Sequence, residues 1–215
     1  MSLITLTDPQ SPISEAYRTL RTNLSFYSLD NPLHNLVVTS PAVSEDKGES
    51  IANLAVTMAQ SGRKTLLVDC DLRRPVLHDF FGLSNENGLT DMVLNDAEMP
   101  PLQQTSVENL TLLTSGAKPP NPADLLGSKK VDQLITNLTK QFDFVLFNAP
   151  PVVAVTDATI LGAKVDGVLL VITAGKTRRD HAEKAKEMLE QAHVRVVGVA
   201  LTNAPKDSSL GDYYN

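Results

Sequence analysis

Apolar and polar positions along the chain follow two rhythms. Short, almost unbroken apolar runs at residues 36–40, 64–71, 109–114, 142–147, 167–173 and 194–201 read as buried strands. Between them the spacing turns helical. Ile51, Leu54, Ala55, Met58 and Ala59 recur at i, i+3, i+4, i+7 and i+8 and predict a helix over 50–61 that Gly62 ends. Val131, Leu134, Ile135 and Leu138 mark another, after a stiff turn at residues 119–122. Leu77, Phe80 and Phe81 mark a short helix with core side chains. Asp157 is placed to cap a helix over 158–164, and residues 179–193 read as a charged surface helix. Near the start, Ser11 as cap and Pro12 in the first turn open a helix over 11–26, with Ile13, Tyr17, Leu20 and Leu24 on one face. Strand and helix alternating in this way predict an α/β fold with a mostly parallel central sheet and helices on both faces.

At 215 residues the chain suits a single domain. Within it, residues 1–30 form an N-terminal segment with its helix, 31–205 the nucleotide-binding part, and 206–215 a polar tail. No apolar run reaches bilayer length, and the first residues lack the basic flank and apolar stretch of a signal peptide. The single cysteine, Cys70, rules out an internal disulfide, fits a reducing cytoplasm and reads as a small buried hydrophobe. His34, His78, His181 and His193 have no ligand-like spacing, and a net charge of −6 argues against nucleic acid as a partner.

The chemistry gathers between residues 36 and 71. Strand, loop, helix and second strand make the front of a P-loop-type nucleotide-binding domain, in which the loop holds phosphates at the helix N-terminus. A working phosphate loop reads GxxxxGK[ST]: glycines let backbone N–H groups close on phosphate, the lysine reaches the outer phosphates, and the hydroxyl binds magnesium. Here the segment is Ala42-Val43-Ser44-Glu45-Asp46-Lys47-Gly48-Glu49, so Lys47 is kept while Asp46 replaces the last glycine and Gly48 the hydroxyl residue. In the usual loop geometry a non-glycine residue at positive φ costs about 1–2 kcal/mol. A carboxylate ~4 Å from a phosphate charge costs about 4 kcal/mol at an effective dielectric near 20. Half that total weakens binding more than about tenfold. Asp69 and Asp71, at alternate positions near a strand's carboxyl end, are expected to point to one side, and buried like charges there need a cation or a lysine between them. Of the two, a magnesium or substrate-hydroxyl site is favoured over structural caps. The strand over 142–147 runs into Asn148, where such strands usually end in an aspartate beside magnesium.

Two further features stand apart. Glu15, Arg18 and Arg21 form a charged helical stripe, read on its own as a solvated face with one ion pair. The tail carries Tyr213 and Tyr214 beside Asp212, a pair able to accept phosphate.

Taken together, the residues resemble the cytoplasmic domain of the bacterial tyrosine kinases that govern capsule and exopolysaccharide synthesis and export. Glu15-Ala16-Tyr17-Arg18-Thr19-Leu20-Arg21 is similar to that family's ring-assembly helix, and Val68-Asp69-Cys70-Asp71-Leu72-Arg73-Arg74-Pro75 to its second Walker motif. Pro120-Asn121-Pro122-Ala123-Asp124-Leu125-Leu126, Pro150-Pro151 and the terminal tyrosines add to the match. The resemblance implies ATP and Mg2+ as cofactors, held by residues 44–49 (Ser44, Glu45, Asp46, Lys47, Gly48 and Glu49), with Asn203 near the adenine. It implies Lys47 on the outer phosphates, Asp69 as base for a tyrosine hydroxyl, Asp71 on magnesium with Asp69 and Asn148 beside it, and Tyr213 and Tyr214 as acceptors. It further implies a ring-like homo-oligomer through Glu15, Arg18 and Arg21, and a membrane-spanning polysaccharide co-polymerase, fused or separate, as activator at the inner face of the membrane.

Three functions follow. The chain is an ATP-dependent kinase of its own tail, an assembly module of that lineage with little catalysis, or a partition or septum-positioning ATPase of the same fold class. The last predicts a basic surface or an amphipathic terminal helix, and the sequence has neither.

Overall fold

The computed structural model describes residues 2–27, 32–43, 46–97 and 99–204. The chain opens with a short helix α1 (Ile4–Thr7) and the longer α2 (Pro12–Phe26), capped as expected by Ser11, which accepts from the Ser14 N–H. Strand β1 (Asn35–Thr39), helix α3 (Lys47–Gln60) and strand β2 (Thr65–Asp69) follow. Next come α4 (Leu77–Phe81), α5 (Leu89–Leu94), β3 (Gln103–Gln104) and β4 (Leu110–Leu113). The second half holds α6 (Pro122–Gly127), α7 (Lys129–Gln141), β5 (Phe144–Asn148) and α8 (Asp157–Gly162). It closes with β6 (Val168–Thr173), α9 (Arg179–Gln191) and β7 (Val196–Thr202).

The strands lie in one sheet in the order β3-β4-β2-β5-β1-β6-β7, parallel except for β3. Alternation along each strand sorts the core into two layers. Leu36, Val38, Leu67, Phe144 and Leu146 face the side covered by α1 to α4, while Val37, Leu66, Val68, Val145 and Phe147 face α5 to α9. Helices on both faces of a mostly parallel sheet are therefore what the chain builds.

Several local expectations are corrected. Helix α3 begins at Lys47, three residues before the expected start at 50, because the polar first turn carries no apolar signal. Strand β2 stops at Asp69, so Asp71 belongs to the loop beyond it. Asp157 is not the cap of α8; it is its first residue, fully buried, and receives two 3.0 Å hydrogen bonds from the Arg73 guanidinium. Ile13 is 51 % exposed and Ser14 is buried in its place. Helix α1 folds back onto α2, and the Ser14 hydroxyl donates to the Asp8 carbonyl at 2.7 Å. The stretch after the stiff turn is two helices, α6 and α7, with Ser128 capping the second.

Candidate functional site

Sheet register assembles the site. Asp69 and Asn148 end neighbouring strands as a paired position, and Val38 of β1 pairs with Asn148 from the other side. Asp69 shares the parity of Leu67, and Asn148 that of Leu146, so both side chains face the α3 layer, where Lys47 opens the helix. The loop after β2 brings Asp71 to the same point.

The four side chains close on one another. The Lys47 ammonium donates to Asp71 Oδ2 at 3.1 Å, to Asn148 Oδ1 at 2.8 Å and to the Ala149 carbonyl at 2.5 Å. An ammonium has three N–H donors, so all are used. The Asn148 amide donates in turn to Asp69 Oδ1 at 2.8 Å. Asp69 also accepts from the backbone N–H groups of Asp71, Val76 and Leu77, and Asp71 Oδ1 accepts from the Arg74 N–H. Burial pushes the Asp69 carboxyl above its usual range, against the pull of these hydrogen bonds and of Lys47. Burial likewise pushes the Lys47 amine down, opposed by Asp71 and Asp69. Lys47 thus sits beside the two buried carboxylates, bonding Asp71 directly and Asp69 through the Asn148 amide. Cys70 between them is 1 % exposed, and burial raises its thiol well above the ordinary value, which keeps it an inert core residue.

The phosphate loop departs from its expected geometry. Asp46 has φ −79°, so the positive-φ cost does not arise. Its carboxylate lies 3.4 Å from Lys176 Nζ. A Cβ on Gly48 would come 2.7 Å from Val76 Cγ2, so a hydroxyl residue fits there only if Val76 turns. Glu49 is exposed in the first turn of α3. Ser44 and Glu45 lie outside the described residues, as do Tyr213 and Tyr214. Asn203 is exposed at φ 52° past the end of β7, and its amide donates to the Ala174 carbonyl at 3.1 Å, apart from the buried cluster. Among the described residues no three or more His, Cys, Asp or Glu side chains are arranged to hold a metal. With the lysine turned inward and the oxygens of both aspartates engaged, these residues do not fit a magnesium–triphosphate in this arrangement.

On α2, Glu15 and Arg18 form an ion pair at 2.8 Å, and Arg18 also donates to the Pro9 carbonyl. Arg21 turns inward and donates to the Thr57 carbonyl of α3 at 2.8 Å. This contact belongs to a polar seam that the sequence reading missed. Ser50, Asn53 and Thr57 are buried along one face of α3; Asn53 Oδ1 accepts from the N–H and hydroxyl of Thr5, and the Tyr17 hydroxyl lies near Ser50 and Asn53. Their i, i+3, i+7 spacing is the signal that could have pointed to it.

Fold and cluster define a P-loop NTPase-type α/β domain, and the family model described as NUBPL iron-transfer P-loop NTPase (ParA) matches residues 36–203. The nearer relatives narrow this. The chain is 44% identical over 213 residues to the tyrosine-protein kinase YwqD of Bacillus subtilis, spanning 99% of this chain and 90% of that one. The crystal structure of the chimerical protein CapA2B2 superposes with a TM-score of 0.89 at 38% identity, covering 95% of this chain and 90% of the other. The kinase domain of Escherichia coli tyrosine kinase ETK gives a TM-score of 0.89 at 31% identity, over 97% and 82% of the two chains. The chain belongs to the bacterial tyrosine-protein kinase family.

Proposed function

We propose that this chain is an assembly module of the tyrosine-kinase lineage with impaired phosphoryl transfer, acting in the control of capsule or exopolysaccharide synthesis beside a membrane-spanning co-polymerase. One observation carries the reading. Lys47, the residue that should reach the outer phosphates, has every donor committed to Asp71, Asn148 and Ala149. The altered loop agrees with it, since Asp46 and Glu49 add two carboxylates beside Lys47 in the segment that matches the phosphate loop, and these would repel a triphosphate. The amide of Asn148 offers no negative charge to magnesium. Oligomerisation through α2 belongs to the same reading, with Glu15 and Arg18 at the surface of that helix.

The test is incubation of the purified chain with Mg·ATP, followed by mass spectrometry of Tyr213 and Tyr214 beside a Lys47→Met control. The expected result is no phosphate on either tyrosine and no nucleotide-dependent rise in melting temperature. Phosphotyrosine that disappears in Lys47→Met would instead establish an active kinase with a rebuilt loop.

A further inference from the structure

We propose that Lys47 and Asn148 form a metal-free lock, in which a lysine amine and a bridging amide do the work of a divalent cation between Asp69 and Asp71. The lock deepens the reading of impaired catalysis by giving the retained lysine a structural task. Asp69 and Asn148 are fully buried, and Asp71 and Lys47 are nearly so, so each charge or dipole in the cluster depends on its neighbours and not on water.

The amide at 148 is the piece that makes this work. It offers its oxygen to the ammonium and its N–H to Asp69, and the reverse orientation would set N–H against ammonium. An ionised aspartate at the same position could accept from Lys47 but could not donate to Asp69. It would put a third carboxylate beside two others with one lysine to balance them. The side chain absent from a magnesium site is thus the one the lysine-filled site requires. The lock joins the start of α3, the end of β5 and the loop after β2, the three segments that would border a bound triphosphate.

Thermal melts without nucleotide, in EDTA and then in magnesium chloride alone, test the lock. Lys47→Met should lower the melting temperature by about 6 °C or more, because it leaves two buried carboxylates without a cation. Adding Asp71→Asn to that variant should restore at least half of the loss. Asn148→Asp should melt lower than wild type in EDTA and recover in magnesium chloride, while wild type does not respond to magnesium. Lys47→Met melting with wild type, Asn148→Asp matching wild type in EDTA, or wild type stabilised by magnesium alone would each overturn the lock. Should Lys47→Met fail to fold, the two Asn148→Asp melts decide alone. Phosphotyrosine in the kinase assay would sink the impaired-catalysis reading and leave these melts unaffected, so the two failures are distinguishable.

Discussion

Tyr17 shows how one side chain ties the N-terminal helix to the phosphate loop. Its hydroxyl lies against the first turns of α3. Burial raises its pKa, Ser50 opposes the rise, Glu49 and Asp46 add to it, and Asn53 again opposes it. A tyrosine whose folded pKa lies above the unfolded value of 10.0 holds its proton longer when folded. Its contribution to stability is therefore complete below pH 10 and is lost as pH rises through the folded value. Denaturation by urea from pH 8 to 11 should show wild type losing stability above pH 10 more steeply than Tyr17→Phe; parallel curves would contradict the assignment. Nothing in the sequence distinguished Tyr17 from an ordinary helical core residue, because the polar groups that surround it come from a helix more than thirty positions away.

At the scale of elements, the carboxyl end of β4 is held by a close backbone crossing as well as by apolar packing. Helix α5 starts against the end of β4, where the Leu89 N–H donates to the Thr114 carbonyl and the Thr90 N–H to that of Ser115. A Cβ on Gly88 would come within 2.2 Å of the Gly116 nitrogen and 2.3 Å of the Thr114 oxygen, backbone atoms that cannot rotate away. Gly88→Ala should cost about 3 kcal/mol, the upper end of overpacking penalties, as read from urea unfolding. A loss below about 1 kcal/mol would mean that this crossing can open without strain. Periodicity found α3 and α7 but missed α1, α5, α6 and β3, which are too short to show a period. It also put Ile13 in the core, since a hydrophobic stripe says nothing of α1 folding back over Ser14.

For the molecule as a whole, the question is which surface meets another copy. Helix α2 carries exposed Ile13 and Phe26 together with the Glu15–Arg18 pair, whereas Arg21 is drawn inward to Thr57. If α2 mediates assembly, Arg18→Ala should reduce the mass measured by light scattering while leaving the Arg21–Thr57 hydrogen bond in place. A wild-type chain that stays monomeric at high concentration would remove the basis for this interface. Arg21→Ala is the less clean variant because it also loosens α2 from α3. Among the described residues no helix is long and apolar enough to cross a membrane.

The sequence by itself determined the alternating architecture, the two-sided core and the kinship, because apolar period and motif order are local properties that survive changes at single positions. It also showed which loop residues had departed from the usual pattern. Only the tertiary structure decided what surrounds those positions. Whether two buried carboxylates are balanced by metal or by lysine depends on strand register, on side-chain parity and on a helix that starts at Lys47. The same holds for Asp157, whose partner Arg73 lies 84 positions away. Pairings between buried charges are fixed by where the sheet brings its strand ends, and no spacing along the chain records that.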